Sequence, residues 1–432
     1  MIVSPAWRDR RYAVLGLARS GAATVEALVS TGAEVFAWDA DETVRKAVIE
    51  YHPHGVTLAD TATMDLAGFD GVVVSPGVPL NNHPVASKAR AAGVPIIGDI
   101  ELFAEARENL PSHRVVGITG TNGKSTTTAL IHHIVDTAGI PARLGGNIGL
   151  PILGEEPLPE GGVYVLELSS YQLDLTHNLD CDVAVLLNIT PDHLDRYNGF
   201  EGYAAAKARL FDMQSPGHDA VIGIGDDASA KIARSLSSRG EHLHKIAPGV
   251  CMDQSRWPAL QGPHNAQNAL AAITTCQALG ISEAAIDAGL ESFRGLPHRM
   301  ERIAVVAGVA YVNDSKATNP DSAAPALAAF DRIHWILGGQ AKSDNLDACR
   351  PSFGHVRAAY TIGEAGMLFR DLLAEAMPAT YAGTLTDAVD LARAAAEPGD
   401  TVLLSPACAS FDQFRDYEDR GDTFRGLVEA MS

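Results

Sequence analysis

Positive charge is scarce in this 432-residue chain. It has 33 Lys and Arg against 53 Asp and Glu, a formal net charge of -20, and no basic cluster with interleaved aromatics. Such a surface repels a phosphate backbone, which argues against nucleic acid as a partner. Cysteine is also sparse: Cys181, Cys251, Cys276, Cys349 and Cys408 are widely scattered and form no C-x-x-C. An odd number at such spacing fits free thiols in a reducing compartment better than a disulfide framework or a zinc site. The N-terminus "MIVSPAWRDRRYAVLG" lacks a long apolar h-region, and no run reaches the roughly 18 apolar residues of a membrane span. The expectation is a cytoplasmic protein without membrane insertion. Low-complexity tracts and repeats of fixed period are missing too. With 46% hydrophobic and 20% charged residues, the chain is expected to fold throughout.

At this length one core is not enough, and three domains are expected. Residues 11 to 105 alternate between short β-rich runs ("YAVLGL", "AEVFAWD", "GVVVSPG", "VPIIGD") and helical segments, which predicts a parallel sheet. A break at "ENLPSH" precedes a second series that opens with "RVVGIT" and includes "VYVLELSS", "VAVLLNIT" and "DAVIGIG". The segment "FRGLPHRME" carries Gly and Pro and suits a hinge before a third series, "RIAVVAGVAYVND", "RIHWILGG", "RAAYTIG" and "DTVLLSP". The expected fold class is α/β, with boundaries at 1–109, 110–297 and 298–432.

The stretch "VVGITGTNGKSTTTAL" (115–130) runs from a strand through a small-residue loop into a helix. Gly120 and Gly123 allow a tight turn that aims amide groups inward around Thr121 and Asn122, and Ser125 opens a helix whose dipole favours an anion. Lys124 reaches the outer phosphates and the Ser125 hydroxyl suits magnesium, so the loop reads as a nucleoside triphosphate site. The strict G-x-x-x-x-G-K-[ST] spacing is not met, because Gly117 stands six residues before Gly123. The strand, loop and helix nevertheless arrive in the order the motif requires. Glu167 ends the next strand, and "NITPDHLDRY" follows another with Asp192, His193 and Asp195. Ligands of open α/β sheets collect beyond the carboxyl ends of strands, which makes Glu167 and His193 candidate magnesium ligands. Taken singly, each is as readily a solvated strand end or a hydrogen-bonded loop histidine.

"GITGTNGKSTT", "GGNIGLP", "LELSSYQL", "NITPDHLDRY", "YAAAKARLF", "GPHNAQNALAA", "GLPHRME", "NDSKATNPD" and "LLSPACASFDQF" together resemble the Mur ligase family of peptidoglycan synthesis, in family order across nearly the whole chain. Within it, "NDSKATN" (313–319) resembles the branch that adds D-glutamate. The resemblance implies a Rossmann-like N-terminal domain for a UDP sugar, a central P-loop ATPase-type domain and a Rossmann-like C-terminal domain for the amino acid. It implies an ATP-dependent ligase acting, as a monomer, on UDP-N-acetylmuramoyl-L-alanine and D-glutamate through an acyl phosphate. By the same resemblance Lys124, Ser125 and Thr126 hold ATP and magnesium, two ions being expected of the family, with Glu167 and His193 as metal ligands and Asn147 beside the phosphates. Asn268 and Arg299 meet the nucleotide and Asp314 lies near its ribose. Lys207 in "YAAAKARLF" matches the family's carbamylated lysine, whose carbamate ligates metal where an ammonium would repel it. Without the resemblance, Lys207 reads as a solvated helix residue. For D-glutamate the resemblance implies Lys316, Thr318, Lys342, Ser410 and Phe411, and cations and hydroxyls suit its two carboxylates. His193 and His298 are both candidates to accept the amine proton. Tyr417 stands where the family has Phe.

"VLGLARSGAA" (14–23) also approximates a dinucleotide fingerprint, with Asp39 placed 23 residues after Gly16. Ala18 replaces the middle glycine, however, and would hinder a pyrophosphate, so an NAD enzyme is disfavoured. The resemblance instead has Arg19 and Ser20 meet the UDP diphosphate, Asp39 the uridine, and Ser75, Pro76 and Gly77 form the other wall. Asp41 stands where some relatives have Arg. Competing readings are a folate-type ligase, against which the domain before the P-loop argues, a sibling ligase with another amino acid, and a non-catalytic nucleotide-binding scaffold.

Overall fold

A computed structural model describes residues 1–194, 196–197, 199–247, 249, 252–341 and 344–431. Its strands form three sheets. The first takes β1 (Arg11–Leu15), β2 (Glu34–Trp38), β3 (Val56–Leu58), β4 (Gly71–Val74) and β5 (Ile96–Ile97), in the spatial order β3-β2-β1-β4-β5. The second takes β6 (His113–Thr119), β7 (Ala142–Gly146), β8 (Gly162–Glu167), β9 (Val183–Leu186), β10 (Asp219–Gly223) and β11 (Leu243–Ile246), in the order β11-β10-β9-β6-β8-β7. Every pairing in these two sheets is parallel. The strands β4, β6, β8 and β9 are buried or nearly so along their length. Continuous apolar runs are what a sheet covered by helices on both faces demands.

The third sheet takes β12 (Glu301–Val306), β13 (Val309–Asn313), β14 (Ile333–Gly338), β15 (Val356–Ile362), β16 (Ala379–Gly383) and β17 (Thr401–Leu404), in the order β12-β13-β17-β14-β15-β16. Here the structure corrects the sequence reading. "RIAVVAGVAYVND" is not one strand but an antiparallel hairpin. Its turn residues Ala307 and Gly308 both have positive φ, 50° and 81°, which gives the backbone twist that tight hairpins need. Strands β3, β7, β11 and β16, short or bordering the sheets, were also not expected from the sequence.

By contacts the chain divides into two compact units, Met1–Val250 with Gln267–Leu290, and Cys251–Ala266 with Glu291–Ser432. The first two sheets thus share a unit. One hydrophobic cluster runs from Ile2, Trp7 and Phe103 to Tyr164, Leu166 and Leu186, and the Phe103 and Tyr164 rings meet edge to face with centroids 5.0 Å apart. Burying a side chain such as Phe103 contributes about 1.5–3 kcal/mol. Polar ties reinforce this core: the Glu101 carboxylate accepts from the amides of His177 (2.6 Å) and Asn178 (3.0 Å), and Ile2 N donates to Leu153 O. In the second unit, Trp335, Phe369 and Leu373 pack on one face of the third sheet, and Ile336, Leu404 and Phe424 pack on the other.

Candidate functional site

In the second sheet β6 lies between β8 and β9, so three consecutive carboxyl ends open on one place. The loop after β6 leads into the helix Lys124–Thr137, capped by Gly123 at φ 86°. A Cβ at Gly123 would collide with Asn268 Oδ1, and one at Gly120 (φ 153°) would come within 3.1 Å of Leu187 Cβ. Glycine fits this path without strain at both positions, and at Gly123 any side chain would be strained and would clash. Neither Thr121 nor Asn122 hangs free. Thr121 N donates to Asn188 O at 2.8 Å, Asn122 N donates to Asn188 Oδ1 at 2.9 Å, and Asn188 Nδ2 returns a bond to Asn122 O. Asn188, just after β9, is thus the clamp of the loop. Its place in "NITPDHLDRY" carries no local mark of this role, which only the pairing of strands reveals.

Lys124 Nζ donates to the carbonyls of Gly120 (3.0 Å) and Thr121 (2.9 Å). Lys207, on the helix Phe200–Asp212, also donates to Gly120 O, at 2.8 Å, and to Thr119 Oγ1 at 3.4 Å. Contrary to its bland reading as a solvated residue, Lys207 is 1% exposed. Burial, then the neighbouring Lys124 charge, lowers its pKa to about 7, against the pull of Asp192 and Glu167. A substantial fraction of neutral amine therefore exists near neutral pH.

Glu167 is 2% exposed. Its Oε1 accepts from Asn147 Nδ2 at 2.9 Å, whereas Oε2 is buried with no hydrogen-bond partner among the described residues. An unpaired carboxylate oxygen in such surroundings is costly. A cation would satisfy it, so the residues present fit a divalent metal. Among the described residues no group of three or more His, Cys, Asp and Glu forms a ready-made cage. His193 has φ 52° and its side chain is 47% exposed, with Asp192 beside it. Its ring lies 5.0 Å from that of Tyr171, centroid to centroid. Ser125 is buried at the helix start, and Thr126 follows it.

A cavity of about 270 Å³ is lined by Lys124, Asn147, His193 and Lys207, and also by Pro76 and Gly77 from the loop after β4. Residues from both sheets of the first unit therefore face one space. At the ends of β1 and β4, Ser75 Oγ donates to Gly16 O at 2.8 Å. Arg19 Nη2 donates to Gly149 O at 3.1 Å, and Ser20 lies in the first turn of the helix Arg19–Ser30. Asp39 accepts from the amides of Leu17 (2.7 Å) and Asp41 (2.9 Å), so both its oxygens shape the loop.

In the second unit, β13 and β17 end side by side, with Asn313 opposite Leu404. Asp314 is 6% exposed and accepts from Ser405 Oγ at 2.7 Å and Met300 N at 3.2 Å. Burial pushes its pKa up to about 7. His298, at φ 60° and 6% exposed, accepts at Nδ1 from Asn313 Nδ2 at 3.0 Å. Burial lowers its pKa, which favours the neutral imidazole a proton acceptor needs. Arg299 N donates to Leu296 O. Lys316 Nζ lies 3.8 Å from the Tyr417 ring centroid, a cation–π contact. Thr318 is partly buried, Ser410 is 2% exposed and Phe411 is 68% exposed. Lys342 and Asp195 lie outside the described residues. The sequence reading passed over Arg420. This arginine is fully buried and donates to Ser315 Oγ, Ser315 O and Cys408 O at 2.8–3.1 Å, tying together the segments that hold Lys316 and Ser410. Only the folded chain shows this, since an arginine in the helix Tyr417–Glu429 has no sequence mark of burial.

Comparison with known proteins accords with this geometry. Residues 10–98 match a Mur ligase MurD-like N-terminal domain, residues 118–249 a Mur ligase middle domain, and residues 298–408 a Mur ligase glutamate ligase domain. A UDP-N-acetylmuramoylalanine--D-glutamate ligase of Novosphingobium aromaticivorans is 63% identical over 100% of this chain and 97% of its own length. One of Sphingopyxis alaskensis is 60% identical over 100% of both chains. The solved UDP-N-acetylmuramate-alanine ligase of Thermotoga maritima is similar in fold, with TM-score 0.59 and 17% identity over 98% of this chain and 100% of that one. With full-length relatives at such identity and matches to the family's N-terminal, middle and glutamate ligase domains, this chain belongs to the Mur ligase family.

Proposed function

We propose that the protein uses ATP to join D-glutamate to the terminal carboxylate of UDP-N-acetylmuramoyl-L-alanine, in the cytoplasmic synthesis of peptidoglycan precursors, and that it does so as a monomer of three domains bounded near 109 and 297. The activity named for its full-length relatives supports the reaction. The observation that carries it is the cavity in which Lys124, Lys207 and Asn147 meet the first sheet's Pro76 and Gly77. Such a space would let the γ-phosphate of a triphosphate and the carboxylate end of a sugar nucleotide meet.

The substrate carboxylate attacks the γ-phosphorus of ATP, a phosphorus–oxygen bond breaks, and ADP leaves an acyl phosphate. The D-glutamate amine then attacks the acyl carbon, loses a proton, and phosphate departs. Phosphoryl transfer asks for positioning and charge neutralisation more than covalent help. Lys124 and the amides of Gly123 to Ser125, at the start of the helix, orient the phosphates, with Thr126 behind them, whereas the amides of Thr121 and Asn122 are held by Asn188. Magnesium, when bound, neutralises developing charge on the phosphate oxygens, and Ser125, Glu167, His193 and Lys207 as a carbamate would hold it. Carbamate formation joins the neutral Lys207 amine to carbon dioxide with loss of one proton, and the lowered pKa of Lys207 supports it. Asn268, Arg299 and Asp314 are assigned to the nucleotide. Arg19, Ser20, Asp39, Ser75, Pro76 and Gly77 are assigned to the UDP sugar, and Lys316, Thr318, Ser410 and Phe411 to D-glutamate. His193 and His298 are the candidate acceptors for the amine proton, and at His298 the Nδ1 lone pair must first be released by Asn313.

ADP release is the direct test. With magnesium and ATP it is expected to require both UDP-N-acetylmuramoyl-L-alanine and D-glutamate, and to fall in buffer stripped of carbon dioxide until bicarbonate is restored. Preference for L-alanine or a diamino acid would move the activity to a sibling ligase. Indifference to carbon dioxide would remove the carbamate.

A further inference from the structure

Among the described residues, the loop that carries His193 forms no helix or strand between β9 and the helix Phe200–Asp212, and side-chain contacts help to hold its position. Two of them reach the helix Ser170–Asp174, which begins three residues after Glu167. Tyr197 donates its hydroxyl to Asp174 Oδ2 at 2.8 Å, and the Arg196 guanidinium lies 3.9 Å from the Tyr171 ring centroid. The Tyr171 ring in turn faces His193. The same guanidinium also reaches the loop after β4, where Nη1 donates to Val78 O at 3.1 Å and to Pro76 O at 3.4 Å. One side chain therefore joins the wall of the first sheet, the helix behind Glu167 and the loop of His193, on the rim of the cavity they line.

Arginine suits this task because its planar fork can donate in plane to carbonyls while its face stacks on a ring, which a lysine cannot do. Several other ties between the two sheets lie elsewhere. Gly98 N bonds Leu175 O, Glu101 holds His177 and Asn178, and Ile2 N bonds Leu153 O. None of these residues lines the cavity. The frame of the unit thus has its own supports, and Arg196 is positioned to fix the spacing of the two walls.

We propose that Arg196 is a positioning residue that couples the sugar-nucleotide and ATP sites, so that occupancy of either orders the bridge the other needs. The inference rests on the ligase reading above. A ligand that settles the loop at 76–78 fixes one end of the guanidinium's contacts, and a nucleotide beside Lys124 and His193 fixes the other. Whichever binds second meets a site already ordered, and the effect must be reciprocal.

Calorimetric titration of UDP-N-acetylmuramoyl-L-alanine, alone and with saturating magnesium and a non-hydrolysable ATP analogue, tests this in the wild type, Arg196→Ala and Arg196→Lys. The wild-type Kd is expected to tighten at least about five-fold with the analogue, the lower end of ordinary coupling. In both variants the gain should shrink below about two-fold, a readout that a general loss of stability would not move. If the alanine variant folds poorly, Arg196→Lys, which keeps the charge, carries the comparison. Equal coupling in wild type and variants overturns the inference, as does absence of coupling in the wild type. The ligase reading is judged separately, by D-glutamate-dependent ADP release from the wild type.

Discussion

Asp314 illustrates how one side chain's chemistry is made by its surroundings. Its carboxyl is raised from 3.8 to about 7, first by burial and against the bonds from Ser405 and Met300 and the charge of Arg299. A carboxyl whose folded pKa exceeds its unfolded value contributes stability that is complete below the unfolded value and lost as pH rises through the folded one. Between pH 4 and 7 the folded state holds the proton that the unfolded chain has released. Asp314→Asn removes that contribution, which is of order 1–4 kcal/mol. Thermal melts at pH 5 and pH 8 should show the wild type losing more stability over this interval than the variant does. Equal losses would mean that Asp314 ionises in the folded protein much as in the unfolded chain. The sequence marked Asp314, Glu167 and Lys207 by motif, but their burial and the unpaired Glu167 oxygen came from neighbours distant in the chain. Asn188 and Arg420 escaped notice for the same reason, since nothing local distinguishes a clamp from an ordinary polar residue.

Among the elements, the phosphate loop was the most legible, because Gly120, Gly123 and Lys124 act through local backbone geometry. Gly123→Ala tests how strict that geometry is. Its φ of 86° and the collision of a new Cβ with Asn268 Oδ1 penalise alanine twice, and the left-handed conformation alone costs about 1–2 kcal/mol. The KM for ATP should rise about ten-fold, the effect of about 1.4 kcal/mol, while KM for D-glutamate changes little. An unchanged KM for ATP would show that the loop tolerates a Cβ and that its shape is not set by this glycine. The hairpin β12–β13 was the least legible element. Val306 and Val309 flank a turn whose only sequence signal is Gly308, and an apolar run with one glycine reads as readily as a single bulged strand. Positive φ at Ala307, which the chain closes into an antiparallel pair, decided otherwise.

At the level of the entire chain, the division into two compact units predicts unfolding that is not two-state. Scanning calorimetry should resolve two transitions, with a calorimetric enthalpy larger than the van't Hoff value for either. UDP-N-acetylmuramoyl-L-alanine at 100 times its Kd contributes about 2.7 kcal/mol and should raise the first unit's transition by roughly 5–10 °C, leaving the other nearly unmoved. A single transition with matching enthalpies would mean that the units unfold together.

The order of strands and helices, the α/β class and the phosphate loop were written in local pattern: apolar runs of strand length, helices between them, and glycines ahead of Lys-Ser. These features depend on residues near one another in the chain, so periodicity and turn chemistry suffice to read them. The sharing of one core by the first two sheets, the burial of Lys207, the unpaired oxygen of Glu167 and the span of Arg196 from Tyr171 to Val78 could not be read that way. Each depends on groups separated by tens of residues or more, and desolvation and hydrogen-bond partnership exist only once packing has brought those groups together.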